Sequence, residues 1–194
     1  MNKYTKLILI ILTLITISFT NSNPKLDTLD LNQIKHRLVE INILSNKDYH
    51  LLESVISLNQ FLDRIGFLES SNNYNAKNKF GYIGKYQFHP SLIKKLGYKE
   101  TKQGFLNNPL VQEEAMLTLL IYNRKLMKNH IKKYDSKTVN GILVTESGIL
   151  ASTHLAGPSN VKRWLDSGIR FKDGLGTSIS HYMETFAGYN LILE

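Results

Sequence analysis

Glu69 opens the polar stretch Glu69-Ser70-Ser71-Asn72-Asn73-Tyr74, directly after Phe67-Leu68. Fifteen positions later comes Gly84-Lys85-Tyr86-Gln87-Phe88. A carboxylic acid holds a proton near neutral pH only if its pKa is raised, and burial against apolar groups raises it. Phe67, Leu68, Tyr74, Tyr86 and Phe88 are the expected apolar wall around Glu69, whereas Lys85 or Arg64 close by would act the other way. A carboxyl so placed, facing a Gly-aromatic-Gln loop, is a candidate general acid for cutting a sugar chain. The bland alternative is a solvated glutamate at a helix end.

The other acids fit structural roles better. Glu146 lies in Thr145-Glu146-Ser147-Gly148. There Thr145 suits a helix N-cap, and a first-turn glutamate is favoured by the helix dipole. Asp63 falls on a different helix face from Glu69, and Glu113 and Glu114 are expected to face solvent. The six histidines, His36, His50, His89, His130, His154 and His181, form no ligand pair at metal-binding spacing, so no metal site is expected. His154 either lines a cleft or packs in the core. Tyr182 either stacks on a sugar or serves as a core aromatic, and Trp164 reads as a packing anchor.

Positioning these residues requires a mainly helical scaffold. Apolar residues recur at helical spacing over Leu29–Leu44 and again from Tyr49 to Leu68, a helix whose last turn delivers Glu69 into a loop. Gly66 is placed to loosen or end that turn. Ser70–Phe88 reads as loop with a short hairpin around Gly81–Gly84. Pro90 starts a short helix ended by Gly97, and Leu106–Pro109 is an entry turn. Asn108 caps a long central helix from Pro109 to Tyr134, with Pro109 at its first position. Asp135–Gly141 is a turn. A buried helix then runs from Thr145 to Ala156 and stops at Gly157-Pro158; further helices span Ser159–Ser167 and Ile179–Phe186.

Three ordered elements carry a resemblance: Glu69-Ser70-Ser71, then Gly84-Lys85-Tyr86-Gln87-Phe88, then Thr153-His154-Leu155-Ala156-Gly157-Pro158. Together the pattern resembles the lytic transglycosylases of the lysozyme-like superfamily. Those enzymes show a Glu-Ser at a helix end, a Gly-Leu-Met-Gln-like loop and an Ala-Tyr-Asn-Ala-Gly-like segment. The match runs from Glu69 to Trp164, and the Ser180-His181-Tyr182 helix is a fainter counterpart of the family's closing helix. The resemblance implies a lysozyme-like helical domain with a catalytic cleft and at most a small hairpin. It implies Glu69 as sole catalytic acid and then base, with Ser70 supporting it by hydrogen bonding. Gly84 would let the backbone approach the glycan, Gln87 would offer a donor and an acceptor, and Tyr86 would lie along the cleft. His154 and Leu155 stand where the family has Tyr and Asn, while Ala156-Gly157 is retained. The implied reaction cleaves the β-1,4 bond between N-acetylmuramic acid and N-acetylglucosamine in peptidoglycan, leaving a 1,6-anhydro end. No cofactor is implied. The rivals are a hydrolysing muramidase or chitinase-type glycosidase using the same Glu69, and a wall-binding module without activity.

The N-terminus and composition agree with export. Lys3 and Lys6 precede an apolar run from Leu7 to Phe19, then Thr20-Asn21-Ser22, the pattern of a secretory signal peptide over residues 1–22. The run is shorter than the roughly 20 residues of a bilayer span, so membrane attachment is expected only through an uncleaved segment. A helical extension over residues 23–58 and one catalytic domain over residues 59–194 follow. The chain carries 24 Lys and Arg against 16 acids and no Cys. An exported basic chain without disulfides suits anionic wall polymers, in the periplasm, cell envelope or outside the cell. Its bases are scattered, with no arginine-rich block, so no nucleic-acid partner is expected and a monomer is.

Overall fold

A computed structural model of the protein describes residues 46–193; the expected signal peptide and the Leu29–Leu44 helix lie outside them. The chain divides into two units at Val55/Ile56. Of the first, only residues 46–55 are described, the opening turns of a helix in which the Ser54 hydroxyl donates to the His50 carbonyl at 2.9 Å.

The described residues are mainly helical. Helix α1 spans Asn46–Ser70, α2 Pro90–Lys95, α3 Lys102–Leu106 and α4 Pro109–Tyr134. Strands β1 (Thr138–Val139) and β2 (Ile142–Leu143) follow, then α5 (Glu146–Ser167) and α6 (Ile179–Thr185). On α1 the apolar residues Leu58, Phe61, Leu62 and Ile65 recur at helical spacing and are all buried. They join Ala115, Met116, Leu119 and Leu120 of α4, Tyr182 of the last helix and Phe186 just beyond its end in one core. A second core gathers Met127, Ile149, Val161, Trp164 and Met183, with Trp164 as the anchor its sequence context suggests.

Caps set most helix boundaries. Asn108 accepts from the Val111 N–H at 3.3 Å, Thr145 from Gly148 at 3.1 Å and Ser178 from His181 at 3.1 Å, each satisfying an otherwise unpaired donor. The stop at Gly157-Pro158 is a kink: Gly157 takes φ 74°, and the helix resumes beyond it.

Three expectations change. Helix α1 continues through Ser70, so Glu69 sits in its last turn instead of the following loop. Its end is marked by Ser71 and Asn72, both at positive φ, whose N–H groups return to the carbonyls of Phe67 and Gly66. The hairpin is at Thr138–Leu143, turning through Asn140-Gly141 with both residues at positive φ. Around Gly81–Gly84 there are isolated bridges only, Lys77 with Ile83 and Ile83 with Phe88. Helix α3 was not expected; Thr101 caps it by accepting from the Gly104 N–H at 3.0 Å.

Candidate active site

Glu69, His154 and Tyr182 come together from three helices, α1, α5 and α6. The buried Tyr182 hydroxyl donates to Glu69 Oε1 at 2.6 Å. The His154 Nε2 lies 3.8 Å from the same oxygen. The His154 side chain is 6% exposed and that of Glu69 19%, so the carboxylate alone of this pair retains an opening to solvent. Burial, then the neighbouring charge of Glu69 and the hydrogen bond to it, pushes the Tyr182 hydroxyl well above the usual phenol range. Tyr182 therefore stays a donor at neutral pH. With Oε1 accepting from Tyr182, Oε2 is left without a hydrogen bond among the described residues.

The expected apolar wall is a different set of residues. Phe67 and Leu68 are 54% and 38% exposed and face away from any enclosing role. Phe88 contributes at one remove, its ring set edge-on to that of His154 with centroids 5.8 Å apart. Tyr74 and Tyr86 are turned to another carboxylate, Glu113. Tyr182 acts through its hydroxyl and is only 3% exposed, so it offers no face for stacking on a sugar. His154 Nδ1 is buried with no hydrogen-bond partner among the described residues.

The loop residues serve the scaffold. Ser70 does not bond Glu69: its hydroxyl donates to the Lys85 carbonyl at 2.7 Å, tying the end of α1 to the loop fifteen residues on. Gly84 has φ 81°, and a Cβ there would stand 2.3 Å from Gln112 Oε1, so the glycine admits Gln112 instead of a ligand. Gln112 is fully buried, accepts from the Lys85 N–H at 2.8 Å and donates to the carbonyls of Phe105 and Tyr74. Gln87, at φ 48°, donates from its amide to the Gly84 carbonyl at 2.9 Å and closes the turn. Tyr86 is completely buried and donates to Glu113, so it supports the loop from below and does not line a cleft.

Glu113 is the largest departure from expectation. It is 5% exposed, not solvent-facing. Tyr74 donates to Oε1 at 2.6 Å, Tyr86 donates to Oε2, and the Lys85 ammonium sits 3.0 Å from Oε1. Lys85 also reaches Asp63 at 2.9 Å, and its ammonium lies over the Tyr74 and Tyr86 rings. Gly66 makes this possible: a Cβ there would stand 2.5 Å from Lys85 Cε, so its role is close approach, not ending the helix. Burial first, then the charge of Glu113, raises the pKa of both tyrosines. A signal existed in the sequence, since Glu113 shares the helical phase of Met116 and Leu120.

Two further acids complete the picture. Glu146 opens α5 and pairs with the Arg124 guanidinium, while its N–H donates to Asp135 at 2.8 Å, the structural role expected of it. Asp173 was missed. Its charge adds to that of Glu69 in raising the Tyr182 pKa, and its Oδ1 accepts from the N–H groups of Leu175 and Thr177 in the loop before α6. Among the described residues no group of three His, Asp or Glu is gathered to hold a metal ion, and no helix is long and apolar enough to cross a membrane. Comparison of the chain with protein-family profiles, with curated proteins and with solved structures found no match.

Proposed function

We propose that the protein is an exported peptidoglycan lytic transglycosylase of lysozyme-like fold, with Glu69 as its only acid and base. One observation carries this reading: a partly open carboxylate with one oxygen held by a buried tyrosine, next to a buried histidine, at the position the three sequence elements single out. Glu69 Oε2 would give its proton to the glycosidic oxygen as the C1–O bond breaks. The 6-hydroxyl of the muramic acid would then attack C1 and return its proton to Glu69, closing a 1,6-anhydro ring without consuming water. Tyr182 holds the carboxylate in place through both steps and stabilises its charged form between them. The substrate would be the glycan strand of the wall, met outside the cytoplasm.

Hydrolysis is the second reading, and Asp173 favours it. Its charge is the smallest of the causes that raise the Tyr182 pKa, after burial, the charge of Glu69 and the hydrogen bond to it. A two-carboxylate glycosidase would use it to activate water. Mass spectrometry of products from purified peptidoglycan separates the two: anhydro ends support the transglycosylase, and hydrated reducing ends with activity lost in Asp173→Asn support the hydrolase. Absence of any cleavage product would leave a wall-binding module.

A further inference from the structure

The C-terminal half of α4 borders a cavity whose lining does not include Glu69. This cavity, of about 580 Å³, is lined by Ile121, Arg124, Lys125, Lys128, Ile131 and Lys132 of that helix, closed by Glu146 and Leu193. Four bases and one acid therefore surround a floor of three aliphatic side chains. Arg124 is not free: its Nε binds Glu146 and its Nη1 donates to the Leu193 carbonyl at 2.7 Å. Glu146 is thereby neutralised. Among the described residues no ion pair or hydrogen bond engages the ammonium groups of Lys125, Lys128 and Lys132, which are exposed.

Lysines near a helix C-terminus often do no more than complement the carbonyl end of the dipole, an effect confined to the last turn. Lys132 and Lys133 lie in that turn. Lys133 leaves the cavity alone and binds Asp166. Lys125 and Lys128 stand one to two turns earlier, where the dipole offers them nothing. Their spacing with Arg124 and Lys132 puts all four on one helix stripe beside Ile121. A bare inorganic anion would use the ammonium groups and leave the aliphatic floor unmatched. A phosphate carried on a hydrocarbon group uses both.

We infer that this cavity binds the phosphate headgroup of an anionic phospholipid, with Lys125, Lys128 and Lys132 on the phosphate and Ile121, Ile131 and Leu193 against the first carbons. The site would hold the protein at a membrane surface and does not depend on the chemistry of Glu69.

The test is sedimentation of the full chain with phosphatidylglycerol vesicles against phosphatidylcholine vesicles, so that binding through the apolar N-terminal run cancels. The triple variant Lys125→Gln/Lys128→Gln/Lys132→Gln is compared with Lys94→Gln/Lys99→Gln/Lys102→Gln, which removes three exposed charges elsewhere. The phosphatidylglycerol-dependent partition should fall on the order of a hundredfold in the first triple, at about one decade or less per lysine, and far less in the second. Equal loss in both triples would reduce the effect to net charge and overturn the site. Water-soluble dihexanoyl phosphatidylglycerol should displace the protein at concentrations where inorganic phosphate does not. Equal displacement by inorganic phosphate would overturn the lipid assignment.

Discussion

Glu69 and Glu113 are both glutamates held by buried tyrosines, yet they are built to opposite ends. Glu113 has both oxygens occupied, by Tyr74, Tyr86 and Lys85, and its side chain is 7% exposed. Among the described residues, Glu69 has one oxygen bound by Tyr182 and an opening to solvent, beside a histidine with an unpartnered ring nitrogen. A saturated carboxylate, with both oxygens engaged, has no acceptor position to spare, so it holds the scaffold together. An unsaturated one keeps a position for a proton and for a ligand. The difference between the scaffold acid and the acid proposed for catalysis lies in the count of partners among the described residues, not in burial alone.

The comparison breaks most sharply at Glu69. Glu69→Gln keeps the Tyr182 hydrogen bond and removes the transferable proton. Clearing of purified peptidoglycan should fall by about a thousandfold or more, within the range of general acid catalysis, with little change in Tm. Undiminished clearing would end the assignment of Glu69.

Glu113→Ala should do the reverse, mainly through stability. It leaves the Lys85 ammonium with Asp63 as its one remaining carboxylate and takes the acceptor from the buried Tyr86 and half-buried Tyr74 phenols; removing one partner of a buried pair costs roughly 3–5 kcal/mol. For a chain of this size that is a fall in Tm on the order of 10 °C, read by calorimetry. A variant as stable as the parent, but inactive, would move Glu113 from scaffold to chemistry.

How much of this was legible in the sequence follows from how local each cause is. The starts of α4, α5 and α6 rest on Asn, Thr and Ser caps that sit within three residues of what they bind, and α2 starts at Pro90 behind a His89 cap that accepts from the Ser91 N–H. The Gly157-Pro158 break is equally local. By contrast, Tyr182 and Glu69 are 113 positions apart, and nothing near either residue announces the other. The ligand-facing roles expected of Tyr86 and Gln87 come from the resemblance of the Gly84–Phe88 loop to a glycan-binding loop. The partners that turn Tyr86 inward, Glu113 and Lys85, become visible only once α4 packs against α1. Helix α3 was passed over because five residues carry too little periodicity to register. The hairpin was misplaced because Gly81 and Gly84 outweighed the stronger Asn140-Gly141 turn signal.

Tyr182 tests the comparison from the side of the partner. Tyr182→Phe leaves the ring and removes the donor to Oε1. A hydrogen bond to a charged group contributes about 1.5–3 kcal/mol, so activity should drop about tenfold to a hundredfold if that bond orients the acid. The fall should appear in kcat with KM nearly unchanged, because the hydroxyl is buried and touches Glu69 instead of the substrate. A rise in KM alone would make Tyr182 a substrate contact after all.

The smallest effect belongs to Asp166, an exposed acid with as many partners as Glu113. His130 Nε2 at 2.9 Å, Tyr134 at 2.8 Å and Lys133 at 3.1 Å surround it. Hydrogen bonds from His130 first, then Tyr134 and Lys133, hold its pKa well below the usual carboxylate range. A depressed pKa stabilises the fold above the unfolded value of about 3.9 and ceases to do so as pH falls through the folded value. Asp166→Asn should therefore lower Tm slightly at pH 7, and the gap to the parent should start to narrow as pH falls below about 4 and go on narrowing in stronger acid as the folded carboxylate takes up its proton. Water competes for every one of these partners, which is why saturation at Asp166 yields a small gap where saturation at Glu113 yields a large one. A gap at Asp166 as wide as that of Glu113→Ala would show that partner number matters without burial, and the contrast between Glu69 and Glu113 would then need only the count.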